Sequence, residues 1–350
     1  MRIGGLFVGV DERLDSSRPA LKFAGRDALV LWALFADTNE RGGHPESDTA
    51  LLVGRTATRS GVQGALDQLA ARSRSARYDF VHVHFSCHGL DDGRIVVADT
   101  SLEDHAATAP PLSEITGRVA AIRSANLVLT LDCCFAGTVR GMADSENATA
   151  FQAALAGFAG ESRTVAWSSR PDEESLESGR LGHGLFSAGL ILGLRTYAIE
   201  GDRVYLSRWI QRAMQYASDE SKRAGRPQTP GAYANLSPDA WIPVPVVGRR
   251  VQQANEEVGV KAITPDPASL EAYDFDVRTI EVVRRWIDNR QFNPLQVEAV
   301  SPGGMLVGRN VVVRAPTSAG KTVVGELAVL RALRNRRKAV VLLPTRALVY

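Results

Sequence analysis

YDFVHVHFSCHG (Tyr78–Gly89) and ANLVLTLDCCFAG (Ala125–Gly137) decide how this chain folds. Each opens with a short apolar run rich in β-branched and aromatic residues, the pattern of a strand buried on both faces. A histidine followed by glycine closes the first run, and two adjacent cysteines close the second. Groups at the carboxyl ends of parallel strands meet at the edge where open α/β sheets carry their sites. His88 is therefore a candidate general base and Cys134 a candidate nucleophile. A neutral thiol needs such a base, or a field that lowers its pKa from about 8.5, before it can attack. Gly89 leaves its backbone N–H open toward a developing oxyanion, and the N–H of Cys134 supplies a second donor.

Outward from these runs, strand and helix signals alternate. Leu6–Val10 is a short apolar run ended by Asp11, and residues 21–37 space Leu21, Ala24, Ala28, Leu31 and Phe35 at helical intervals. ALLVG (Ala50–Gly54) reads as a strand, and SGVQGALDQLAARS as a helix capped by Ser60. RTVAWSS (163–169) reads as a further strand and GLFSAGLILGL (184–194) as an apolar helix. The alternation predicts an α/β unit over residues 1–245, a mainly parallel sheet with helices on both faces. WIPVPVVG (241–248) closes it as an extended connection, and 246–276, polar and proline-punctuated, reads as a linker. Residues 277–350 resume with helices over 277–291 and 292–300. A strand over 310–316, a glycine-lysine turn, a helix over 323–335 and a strand over 338–344 complete the series.

Composition narrows the classes. Charged residues are 23% of the 350 and hydrophobic ones 45%, ordinary for a globular chain. A net charge of +2 provides no global attraction to nucleic acid or membrane, so such binding has to be local. Three cysteines, two of them adjacent, make no disulfide framework and suit a reducing cytoplasm. No run approaches the ~20 apolar residues of a membrane helix, and the first residues lack a signal-peptide core. A soluble, cytoplasmic protein is expected.

The first unit resembles the caspase/metacaspase superfamily of cysteine peptidases. FSCHG and DCCFAG match its His-Gly and Cys motifs, while FAGRDALVL (23–31), LLVGRTATRSGVQGAL (51–66) and GHGLFSAGLILGL (182–194) resemble other segments in the family's order. The resemblance implies a caspase-like αβα sandwich, endopeptidase activity on a protein substrate and no metal in the catalytic step; it leaves calcium and self-cleavage open. By the family's Asp-x-Cys pattern Cys134, not Cys133, is the nucleophile. In metacaspases the positions matching Asp132 and Asp27 line the primary pocket, and two buried carboxylates there favour a substrate arginine or lysine. Phe135 replaces a histidine common after the nucleophile, and Cys87 replaces the usual glycine before the base. His82 and His84 share strand parity with His88, which with the three cysteines opens a zinc reading. No C-x-x-C spacing supports it, and the two histidines read better as hydrogen-bonded core groups. His183 is expected to serve a structural turn. Asp172, Glu173, Glu174 and Glu177 read as an acidic, solvated loop, which in this fold borders the cleft.

A second chemistry begins at APTSAGKT (Ala315–Thr322), which fits A-x-x-x-x-G-K-T. The backbone of Thr317, Ser318, Ala319 and Gly320 would wrap phosphates, Lys321 reach the β/γ groups and Thr322 hold magnesium. Strand before and helix after supply the context. The pattern resembles superfamily 2 helicases of the DExH/DEAD-box type. FNPLQ (292–296) resembles their Q motif, with Gln296 on adenine, and LLPTRALV (342–349) a motif that contacts the nucleic-acid backbone. ATP, Mg2+ and RNA or DNA are the implied cofactors and partners. Arg331, Arg334, Arg336, Arg337 and Lys338 read as a cationic helix end. The sequence stops inside the last motif and before any Walker-B acid, so hydrolysis is expected only of a longer chain. By analogy with caspase-like domains fused to sensor modules, a peptidase joined to a nucleic-acid motor points to defence. The alternative is a helicase whose peptidase-like domain is a silent interaction module.

Overall fold

A computed structural model describes residues 1–11, 20–90, 92–101, 103–134, 153–158, 160–170, 173–179, 181–257, 264–273, 275–288, 290–300, 305–307, 313, 320–334 and 338–339. The chain forms two compact units, Met1–Asn255 and Glu256–Tyr350. No described helix is long and apolar enough to cross a membrane.

In the first unit β1 (Ile3–Gly9), β2 (Thr49–Val53), β3 (Tyr78–Ser86), β4 (Ser124–Asp132), β5 (Arg163–Trp167) and β6 (Gly231–Ala234) make one sheet in the order β6-β5-β4-β3-β1-β2. Every pairing is parallel except β6 on β5. Helices α1 (Ala24–Arg41), α2 (Arg59–Ser75), α3 (Leu112–Ala120), α4 (Leu185–Leu192), α5 (Leu206–Arg223) and α6 (Arg249–Glu257) connect or follow the strands. Side chains alternate across each strand, so two cores form. Leu6, Val8, Phe85 and Leu131 pack under α2 and α3 with Leu66, Leu69 and Ile115. Ile3, Phe7, Phe80 and Val128 pack against Leu31, Phe35, Phe186 and Trp209 of α1, α4 and α5. Cover on both faces is why β3 and β4 read as continuous apolar runs. Each fully buried large side chain contributes about 1.5–3 kcal/mol. The α/β sandwich expected of the first unit is the observed architecture.

Some boundaries differ from expectation. The cap of α2 is Thr58, whose hydroxyl accepts the N–H of Gly61 at 3.0 Å, and Ser60 lies inside the helix. Trp241–Pro243, expected as plain extended connection, pairs antiparallel with Arg203–Tyr205. The stretch read as a linker is shared between the units. Within it α6 docks on the first unit: Arg250 pairs with Asp37, Glu40 and Glu46, and Val251 and Ala254 join the core. Polarity misled there, because the helix is amphipathic and hides few apolar groups.

The second unit centres on Leu270, Tyr273, Phe275, Ile280, Val283, Phe292 and Leu327. Around them lie α7 (Val277–Trp286), α8 (Pro294–Val300) and α9 (Lys321–Arg334). Asp276 caps α7 by accepting the N–H of Thr279 at 2.7 Å. The strands expected over 310–316 and 338–344 fall almost wholly outside the described residues.

Candidate active site

Parallel register sets Ser86 of β3 opposite Asp132 of β4. The chain continues side by side, with the N–H of Cys87 donating to the Asp132 carbonyl at 3.3 Å and that of Gly89 to the Cys134 carbonyl at 3.1 Å. The His-Gly turn and the cysteine loop are thereby tied together, with His88 buried and Cys134 half-buried. A cleft of about 260 Å³, its open mouth included, is walled by Ser86, Cys87, Asp132, Cys134, Glu177 and Gly184. The Gly89 N–H expected to face an oxyanion is engaged by the Cys134 carbonyl, which has to turn away before that donor is free for substrate.

The three cysteines are unbonded and divide by position. Cys87 and Cys133 lie in the core under α2 and α3, their Sγ atoms 3.2 Å apart. Burial and the Cys87 thiol push the Cys133 thiol well above its ordinary value, so it stays protonated and unreactive. His82 and His84 lie within the opposite core: His82 packs edge-on against Phe7, Phe35 and Trp209. The sheet therefore separates the histidines from Cys87 and Cys133 that the zinc reading would join. Among the described residues no group of three His, Cys, Asp or Glu side chains is arranged to hold a metal.

Carboxylates dominate the rest of the cleft. Asp132 lines it and accepts from Ser175 Oγ at 2.6 Å, Ser187 N–H at 2.9 Å and Ser187 Oγ at 2.6 Å. Asp27, from the first turn of α1, lies fully buried one layer behind. It accepts from Ser86 Oγ at 3.0 Å and Gly184 N–H at 3.2 Å, and its other oxygen is 2.6 Å from His183 Nδ1. A Cβ on Gly184 would collide with both carboxylates, so glycine is what lets them converge. Burial pushes both acids above the usual carboxylate range, Asp27 further because Asp132 repels its charge. Glu177 is a third acid on the wall, raised first by burial while its carboxylate accepts the N–H groups of Lys22 and Phe23 ahead of α1.

The acidic loop thus splits. Glu173 accepts from the N–H and hydroxyl of Thr229, Glu174 pairs with Arg226 at the surface, and Glu177 alone of the three lines the cleft; Asp172 lies outside the described residues. In a run of similar acids nothing local distinguishes Glu177. His183, assigned only a turn, orients Asp27, and burial, then Arg26, lowers its pKa to about 3. Asp27 and Asp132, both named from sequence, do come together.

In the second unit Gln296 is buried and forms a reciprocal pair with Asn293: each backbone N–H donates to the other's side-chain oxygen, at 2.9 and 3.0 Å. Its Nε2 donates to the Gly320 carbonyl at 3.3 Å. Gly320 has φ +82°, and a Cβ there would strike Gln296 and Asn293. The Q-motif candidate and the last glycine of the phosphate loop are in contact. Residues 293–350 match the DEAD/DEAH box helicase family. Over 50 residues the chain is 52% identical to DNA polymerase theta of Mus musculus, a stretch covering 14% of this chain and 2% of that protein. In the helicase-family segment Lys321 and Thr322 open α9, so the lysine of the candidate phosphate loop stands at a helix N-terminus. Thr317, Ser318, Ala319 and the motif LLPTRALV lie outside the described residues. Arg331 and Arg334 serve the fold: Arg331 donates to the carbonyls of Leu306 and Tyr273, and Arg334 pairs with Asp276.

Among solved structures, the chain is similar to caspase-1 from Spodoptera frugiperda, 13% identical with TM-score 0.46 over 67% of this chain and 87% of that one. It is also similar to pro-sf-caspase-1, 13% identical with TM-score 0.44 over 67% and 92%.

Proposed function

We propose that the first unit is a cysteine endopeptidase that cleaves proteins after arginine or lysine. The helicase-family segment, by the same proposal, belongs to an ATP-dependent motor that engages RNA or DNA. One observation carries the peptidase reading: Cys134 shares a cleft with Asp132 and Glu177, and Asp27 stands behind them. Desolvated carboxylates held close together are costly to charge, and a cation between them relieves that cost. A guanidinium or ammonium group lying between Asp132 and Glu177 restores the balance and can meet both through hydrogen bonds. An aspartate at that position would bring a fourth carboxylate to three that burial already holds above their ordinary range.

In the proposed reaction His88 takes the proton of Cys134, and the thiolate attacks the scissile carbonyl. The Cys134 N–H meets the oxyanion, joined by the Gly89 N–H once the Cys134 carbonyl has turned away. His88 returns its proton to the leaving amine, and water admitted to the same base hydrolyses the thioester. Cys133 takes no part, being kept as a buried thiol. The test is cleavage of fluorogenic arginine peptides by the full chain and by its Cys134→Ala and Cys133→Ala variants. Loss in the first with activity kept in the second is expected. Loss in neither would overturn the assignment, and no cleavage by the parent chain would favour a silent interaction module.

The helicase-family segment fits a nucleotide. A glycine at positive φ beside a helix N-terminus is the backbone that phosphates require. Lys321 and Thr322 would hold the phosphates and Mg2+, with Gln296 bracing the loop. Bound ATP would supply the phosphoryl chemistry that drives a motor. Three free cysteines suit a reducing cytoplasm. A peptidase answering to nucleic acid would serve a defence system.

A further inference from the structure

A row of hydrogen-bonding groups runs from the cleft into the core. Asp132 Oδ2 accepts from Ser187 Oγ at 2.6 Å, and the same Oγ is 3.4 Å from His84 Nε2. His84 Nδ1 is 2.8 Å from Thr130 Oγ1, which is 2.8 Å from His82 Nε2. The row follows from register, since His84 of β3 is paired directly with Thr130 of β4.

Counting protons gives the row one direction. A hydroxyl carries one proton, and an ionised carboxylate only accepts. Ser187 gives its proton to Asp132, so His84 has to be the donor toward Ser187, through Nε2–H. A neutral imidazole protonated at Nε2 has a bare Nδ1, which accepts the proton of Thr130. Thr130 has none left for His82, whose Nε2 must donate, leaving Nδ1 of His82 bare. That nitrogen is the one ring atom of the row without a partner, and a bare lone pair there orphans no N–H. Both rings are fully buried, and burial keeps them neutral, His84 with a pKa of about 3. The aromatic rings around His82 close the far end.

We propose that His82, Thr130, His84 and Ser187 form a directional row that aims its hydrogens at Asp132, keeps that carboxylate ionised in the cleft, and so helps set the preference for a cationic substrate side chain. The proposal rests on the peptidase reading and deepens it. Ser187 touches the carboxylate; Thr130, His84 and His82 are positioning residues that act through it. The demand for such support is evident from the surroundings. Glu177 lines the same cleft and Asp27 is buried behind it, and both feel the charge of Asp132. Asp11 adds negative charge beside Glu177, while the cation Arg26 and the ring of His183 lie nearer Asp27. The other oxygen accepts from the hydroxyl of Ser175 at 2.6 Å, and the hydroxyl of Ser168 also supports the carboxylate. Without the row, one of the donors that offset burial at Asp132 is weakened, and the carboxylate takes its proton at higher pH.

The test has two arms, both on the full chain. Nitrogen-15 NMR of the imidazole rings should find Nε2 protonated and Nδ1 bare in both His82 and His84; an Nδ1–H tautomer at His84 would overturn the row whatever the enzyme does. In the second arm the acid limb of kcat/KM is followed on an arginine peptide. Thr130→Val should raise its midpoint by about half to one pH unit, the scale of one weakened hydrogen bond to a charge, while Thr130→Ser, which keeps the hydroxyl, should leave it in place. A merely structural threonine would lower activity equally at all pH, and that result would overturn the proposal. Should the parent chain cleave nothing, the peptidase reading fails and the tautomers alone decide the row.

Discussion

The acidic cleft of the first unit and the phosphate loop of the second are supported in different ways. Asp132, Cys134 and Glu177 of the cleft, with Asp27 and Ser187 behind them, come from four separate segments, and a sheet with both faces covered brings them together. Its groups are buried against their own preference: carboxylates raised, histidines depressed. At the candidate loop, Gln296, paired locally with Asn293, braces Gly320 from 24 residues away, and one glycine conformation decides the geometry. The candidate cleft holds its charged groups at a cost in desolvation, and the candidate phosphate loop depends on a backbone conformation that glycine adopts freely.

Charge removal should break the comparison most sharply. Asp132→Asn is expected to lower kcat/KM on arginine peptides by roughly 10²-fold or more, since it leaves the cation with Glu177 as its one partner on the wall. Glu177→Gln, at the half-buried side, should cost about tenfold. Neither should change the melting of the second unit. The converse change is Gly320→Ala, which forces a Cβ into φ +82° and against Gln296. It should destabilise the second unit by about 1–3 kcal/mol and weaken nucleotide binding while leaving arginine-peptide cleavage alone. Calorimetry with the two units resolved checks both.

Acid and base should separate the buried groups by sign. Asp27 has its folded pKa raised above 3.8, so its contribution to stability is full below that value and is lost as pH rises through the raised one. His84 and His183, lowered from 6.5 to about 3, behave oppositely: their contribution is full above 6.5 and is lost as pH falls toward 3. The melting temperature of Asp27→Asn minus that of the parent should therefore climb from pH 4 to pH 8. A flat difference would mean Asp27 is not held above its ordinary range. Thr58→Ala, far from either site, should cost about 1 kcal/mol by removing the α2 cap, with no pH dependence.

Much of this was legible in the sequence, for reasons that differ by residue. Apolar runs ending in His-Gly and Cys-Cys announced two buried strands with chemistry at one edge, because strand burial is a local pattern. Asp132 was readable only through the resemblance to metacaspases, whose pattern places an acid two before the position of Cys134. Glu177 was not, since its neighbours Glu173 and Glu174 share its chemistry and only the fold turns one of them inward. Ser187 and Thr130 were invisible as site residues: each lies in an apolar run, and their meeting with Asp132 and His84 depends on strand order and on a helix returning from far along the chain. The linker reading failed at α6 because Arg250, polar in sequence, is the residue that fastens the helix to Asp37.

The most direct measurement is the ratio of kcat/KM for two matched peptides that differ only in arginine or citrulline before the scissile bond, which share shape and differ in charge. A preference for arginine of roughly 10²-fold, collapsing toward unity in Asp132→Asn, is the result expected of a cleft selected by charge. Equal cleavage of both peptides, or faster cleavage after aspartate, would contradict it.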